Sequence, residues 1–150
     1  MIRRRTKTSN SRSLRRWWIS GAVLALFFIA ESPTAVTTEP LDRLLDAIAQ
    51  VETGNDRCAV GDGGRAIGPY QIHRAYWEDG TRFLDVDWEY EEAVDPEKSR
   101  EVVRAYLLYY GKSKSLLQLA RIHNGGPRGH EKQATLPYAR KIQKHLEPRG

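Results

Sequence analysis

Leu41, Leu44, Leu45, Ile48 and Val51 recur at i, i+3, i+4, i+7 and i+10, with Asp42, Arg43, Asp46 and Gln50 set between them. That spacing puts one apolar stripe along a helix, so a helix is predicted from about Pro40 to Thr53, closed by Gly54. Gly54 to Gly68 holds five glycines and reads as a turn-rich stretch with room for a small hairpin but not a sheet. A short helix is expected from Pro69 to about Trp77, followed by an irregular, acidic and aromatic surface excursion over Glu78 to Glu92. Asp95-Pro96 is a strong helix start, an acidic cap followed by proline in the first turn. Val102, Val103, Tyr106, Leu107 and Tyr110 then supply a buried face until Gly111. Ser115 opens a further helix with Leu116, Leu119, Ala120 and His123 on one side, ending at Asn124-Gly125-Gly126-Pro127. Thr135 is expected to cap a last helix carrying Tyr138, Ile142 and Leu146. The pattern predicts a mainly α fold, about five helices around a cleft, with a small loop or hairpin region after the first helix.

Charge alters this picture only at the N-terminus. Of 24 Lys and Arg, seven precede residue 17, where there is no acid, leaving 17 basic against 19 acidic residues. The basic excess belongs to that leader and gives no reason to expect a nucleic-acid partner. Trp17 to Ala30 is an uncharged run of 14, the length of a signal-peptide core and short of the 18 or more residues of a membrane span. Residues 1–35 are therefore read as a signal peptide or N-terminal anchor, with a twin-arginine look at Arg15-Arg16, and membrane contact only through that segment if it is uncleaved. Residues 39–150 are enough for one compact catalytic domain, expected to act as a monomer. Cys58 is alone, so no internal disulfide can form. His73, His123, His130 and His145 lack metal-ligand spacing, and no metal or other cofactor is expected.

The chemistry is suggested by a misfit. At about 100° per residue Glu52 falls among Leu41, Leu45 and Ile48, where a helix of this pattern would carry a leucine. Desolvation beside that stripe, and the negative end of the helix dipole, should both hold a proton on this carboxyl. Asp62 follows ten residues later in a glycine-rich turn, where backbone N–H groups and water should keep it charged.

Val51-Glu52-Thr53-Gly54-Asn55, then Gly61-Asp62-Gly63-Gly64, then Gly68-Pro69-Tyr70-Gln71-Ile72 with Tyr76-Trp77 behind, resembles the active-site half of invertebrate-type (destabilase) lysozymes. Ala120-Arg121-Ile122-His123-Asn124-Gly125-Gly126-Pro127, followed by Thr135-Leu136-Pro137-Tyr138, resembles that family's distal cleft motif and, more distantly, that of lytic transglycosylases. The resemblance covers roughly residues 41 to 146. It implies an α+β lysozyme-like fold and a glycoside hydrolase cutting the β-1,4 links of peptidoglycan, with Glu52 as general acid and Asp62 as second carboxylate. Cleaving a glycosidic bond needs both: a protonated acid for the leaving oxygen and an ionised carboxylate near the developing cation. Tyr70 and Gln71 at the cleft mouth, with His123, Asn124, Gly125 and Tyr138, are the expected sugar-binding residues. Asn124-Gly125-Gly126 also reads as a plain helix end, and Tyr138 either as core or as a hydroxyl near the acid. The missing disulfides depart from the family and, with the basic leader, suggest a bacterial member. Two alternatives stay open: a lytic transglycosylase using Glu52 alone, and a wall-binding module without turnover.

Overall fold

The structure is a computed structural model and describes residues 39–147. The leader over residues 1–35 lies outside the described residues. The first helix, α1 (Glu39–Thr53), runs through the middle of the domain and packs against three other helices. Leu44, Leu45 and Ile48 have no exposed surface, and Ala47 and Ala49 are buried as well. The contact surface is thus wider than the apolar stripe alone, because small alanines let neighbouring elements close on α1 from more than one side.

After α1 comes a three-stranded antiparallel sheet of two-residue strands: β1 (Val60–Gly61), β2 (Ala66–Ile67) and β3 (Ile72–His73). Gly61 pairs with Ala66, and Ala66 pairs with His73. The β1–β2 turn and β3 are therefore brought together at one corner of the sheet. The sequence reading took this stretch for a hairpin at most, with a helix beginning at Pro69. The helix, α2 (Arg74–Leu84), begins five residues later. Gly68 at φ +75° and Gln71 at φ +49° break any helical run there, and a Cβ on Gly68 would overlap the Ala93 carbonyl.

The predicted surface excursion over Glu78 to Glu92 is also corrected. Its first half is the remainder of α2, which buries Trp77, Gly80 and Thr81, exposes Glu78 and holds Asp79 half-buried, accepting from the Tyr110 hydroxyl at 2.8 Å. The helix stops at Asp85 in a left-handed conformation, φ +57°. Further on, Tyr90 is buried in a 3-10 turn (Tyr90–Val94), and its hydroxyl lies 2.8 Å from both the Arg65 and Ile72 carbonyls. Trp88 packs partly against the core, and its carbonyl accepts from Trp77 Nε1 at 3.0 Å. This segment braces the back of the sheet.

The remaining helices start where expected. Asp95 caps α3 (Pro96–Tyr110) by accepting from the backbone N–H groups of Glu97 and Lys98. Ser115 and Gln118 form a reciprocal capping box on α4 (Leu116–Gly125). Thr135 precedes α5 (Leu136–Leu146) but does not cap it. Its hydroxyl accepts from Arg121 Nε at 2.9 Å and lies 2.8 Å from the Gly129 carbonyl, pinning the α4–α5 connection. Arg100 and Arg104 of α3 reach Asp42 of α1 at 3.0 and 2.5 Å, tying the helix that bears Glu52 to its neighbour.

Candidate functional site

Glu52 lies in the last turn of α1 with its side chain 20% exposed. The turn carrying it is fixed: Thr53 Oγ1 donates to the Pro69 carbonyl at 3.1 Å, joining the helix end to the loop before β3. His123 of α4, itself almost fully buried, places Nε2 3.5 Å from Glu52 Oε1. On the opposite ring nitrogen, His123 Nδ1 lies 3.2 Å from the Tyr76 hydroxyl. From α5, the Tyr138 hydroxyl is buried and has no partner in good hydrogen-bond geometry. It is close enough to Glu52 that each shifts the other's ionisation, and Tyr138 is raised by burial first and by Glu52 second.

These partners correct the expectation that Glu52 holds its proton unusually tightly. Burial is the largest influence and pushes its pKa up, but the hydrogen bond from His123, the charge of that ring whenever it is protonated, the Tyr138 hydroxyl and Lys141 push it down. The net shift is downward. The apolar stripe of one helix accounts for the burial; the polar groups come from α4 and α5.

Asp62 stands in the β1–β2 turn at φ +50°, a left-handed conformation that a side chain adopts only at some cost. Its two carboxylate oxygens are engaged by side chains instead of the expected glycine N–H groups. Oδ1 meets Arg65 Nη2 at 2.8 Å and Oδ2 meets His73 Nε2 at 3.2 Å. The second contact follows from the sheet register, which sets β3 beside the turn.

Both carboxylates open onto one cleft of ≈ 510 Å³, lined also by Ala66, Gln71, His73, Tyr76, Tyr106, His123, Asn124 and Gly126. Tyr76 and Tyr106 stack with ring centroids 3.6 Å apart and form part of its wall. Of the residues expected to touch sugar, Gln71, His123 and Asn124 reach this cleft. Gln71 does so with its amide nitrogen engaged by the Ala59 and Gly68 carbonyls at 3.3 and 3.1 Å. Tyr70 does not line it: the ring is buried in the core and the hydroxyl accepts from Arg100 Nη1 at 3.3 Å. Gly125 is turned toward Thr135 and gives its place to Gly126, while Tyr138 sits behind Glu52. His73, Tyr76 and Tyr106 were not singled out from sequence as sugar contacts. Tyr106 looks like any core residue of α3, and His73 gains meaning only from its pairing with Asp62. Among the described residues no group of three or more His, Cys, Asp and Glu could hold a metal ion.

The destabilase family profile matches residues 42–145. A lysozyme of Ostrea edulis is 38% identical over 124 residues, covering 78% of this chain and 89% of that protein. A lysozyme of Meretrix lusoria is 33% identical over 107 residues, 68% of this chain and 87% of its own. The fold is similar to that of Meretrix lusoria lysozyme in its crystal structure with Aeromonas hydrophila PliI, with a TM-score of 0.58 at 30% identity, over 68% of this chain and 87% of that one. Tapes japonica lysozyme gives 0.57 at 28% identity over the same shares. The family profile spans most of the domain, and the relatives match it over most of their own length: the chain belongs to the destabilase family.

Proposed function

We propose that this chain is a lysozyme that hydrolyses the β-1,4 links between N-acetylmuramic acid and N-acetylglucosamine in peptidoglycan, with Glu52 as the general acid and Asp62 as the second carboxylate. The observation that carries the assignment of roles is that a carboxyl buried at a helix end and a second, ion-paired carboxylate open onto one cleft. Glu52 gives its proton to the leaving glycosidic oxygen, and Asp62 offers negative charge to the cation that develops as that bond breaks. Arg65 and His73 hold Asp62 in place. The Tyr76–Tyr106 pair gives the cleft an aromatic wall, and Asn124, His73 and the Gly126 backbone supply polar partners for hydroxyl and N-acetyl groups. Peptidoglycan glycan strands are the partner, reached through export directed by residues 1–35.

One observation favours a second reading. Both Asp62 oxygens are already engaged, so Glu52 could act alone, with the sugar's own hydroxyl closing an anhydro ring as in lytic transglycosylases. Mass spectrometry of products from purified peptidoglycan separates the two. Reducing N-acetylmuramic acid ends are expected; anhydro ends would replace hydrolysis with transglycosylation, and no released fragments would leave only a wall-binding role.

A further inference from the structure

Resting on the reading of Glu52 as the acid, we propose that Tyr76 locks His123 in the tautomer with its proton on Nε2, and that this pair directs the Glu52 proton to Oε2, the carboxyl oxygen other than the one that meets His123.

A neutral imidazole has one donor and one acceptor nitrogen, and which is which is set by what each one meets. His123 Nε2 faces Glu52 Oε1 at 3.5 Å, and a carboxyl oxygen with no proton of its own can only accept. His123 Nδ1 faces the Tyr76 hydroxyl at 3.2 Å, the one hydrogen-bonding contact of that hydroxyl among the described residues. Burial, with Tyr106 and Glu52 nearby, keeps the hydroxyl protonated at any working pH. A buried O–H left without an acceptor costs more than one that is satisfied. Both ends of the ring therefore ask for the same arrangement: the Tyr76 O–H donates to Nδ1, and Nε2–H donates to Glu52. In the alternative tautomer the hydroxyl oxygen would accept from Nδ1–H, leaving its own proton without an acceptor, and a lone pair on Nε2 would face the Glu52 oxygen.

The consequence is directional. With Oε1 accepting from His123, the acid proton of Glu52 is directed to Oε2, on a side chain that lines the cleft. The 3.5 Å separation is long for a hydrogen bond, and contacts of this kind commonly tighten when substrate fills a site. Tyr76 is held to its task by its stack on Tyr106 and by an edge contact with the His123 ring at 5.5 Å between centroids. Tyr138 and Lys141 of α5 are the other polar groups that act on this carboxyl. Tyr76 is thus a positioning residue, acting on Glu52 through His123.

Nitrogen-15 NMR of the histidine ring nitrogens in the full chain at pH 8 reads the tautomer without any turnover. The expected result is a bare Nδ1 and a protonated Nε2 for His123, with Tyr76→Phe shifting the ring toward a mixture. In peptidoglycan cleavage Tyr76→Phe should lose about tenfold in kcat, a fraction of what general acid catalysis contributes, with KM within about twofold. His123→Gln, whose amide can still donate to Glu52, should retain more activity than His123→Leu. A proton on Nδ1 in the wild type at pH 8, alone or together with one on Nε2, overturns the proposal, as does an unchanged kcat in Tyr76→Phe. If Glu52→Gln abolishes cleavage while Nδ1 carries the proton, this inference fails and the acid assignment stands. If Glu52→Gln remains active, the acid assignment fails whatever the tautomer.

Discussion

Glu52 is pulled in two directions, and the balance sets its pH behaviour. Burial favours the neutral acid, but His123, Tyr138 and Lys141 favour the carboxylate more, leaving the free enzyme's pKa below the ordinary glutamate value. The acid form is lost as pH rises through that value, so kcat/KM should fall early on the alkaline side. A glycan strand covering the 20% of the side chain still exposed removes water and strengthens the burial effect. The alkaline limb of kcat, which reports the bound state, should therefore lie at higher pH than that of kcat/KM. Limbs that coincide, or appear in reversed order, would mean that substrate does not desolvate this carboxyl. Asp62 poses a separate question. Asn tolerates the left-handed backbone that Asp62 adopts at φ +50°, and the ion pairs lost are about half exposed, so Asp62→Asn should melt within a few degrees of the wild type. Hydrolysis should nevertheless drop by about 10²-fold or more if the charge acts on the reaction. Near-normal turnover with anhydro-ended products would assign the chemistry to Glu52 alone.

Among the helices, the crossing of α2 and α3 is the tightest test of packing. A Cβ on Gly80 would run into the Val102 side chain and its carbonyl, and Val102 is fully buried. Gly80→Ala should therefore destabilise the domain by about 1 to 3 kcal/mol through overpacking, despite alanine's better helix propensity. Equal or higher stability in urea would show that the helices separate freely. The same region explains what the sequence conveyed and what it did not. Asp95-Pro96 and Ser115 announced α3 and α4 because capping is local: the donors each side chain satisfies lie within three residues. α2 was misread at both ends. Its start depends on left-handed Gly68 and Gln71 and on the pairing of β3 with β2, none of which is a local preference of the Pro69 region. Its second half reads as an excursion because two of the residues it buries, Gly80 and Thr81, are not the large apolar residues by which a helical stripe is recognised.

The domain as a whole builds its site from five helices and a sheet corner, and legibility divides along the same line. Glu52 was visible as a carboxylate out of place in an apolar stripe, and Asp62 as an acid among glycines. Of their partners, Tyr138 reads from sequence as core or as a hydroxyl near the acid, while the contacts of His123 with Glu52, of Tyr76 with His123 and of His73 with Asp62 come from helix packing and strand pairing that no local pattern encodes. The basic and apolar segment over residues 1–35 reads as a targeting element, so a chain beginning at Glu39 should fold cooperatively and clear cell-wall suspensions as fast as the full-length protein. Loss of its melting transition would mean that the leader packs on the domain. The central claim is that Glu52 delivers the proton that breaks the glycosidic bond. Its most direct test is the rate at which Glu52→Gln, shown to be folded by its melting curve, releases fragments from purified peptidoglycan. A fall of about 10² to 10⁴-fold is predicted, and release at the wild-type rate would contradict it.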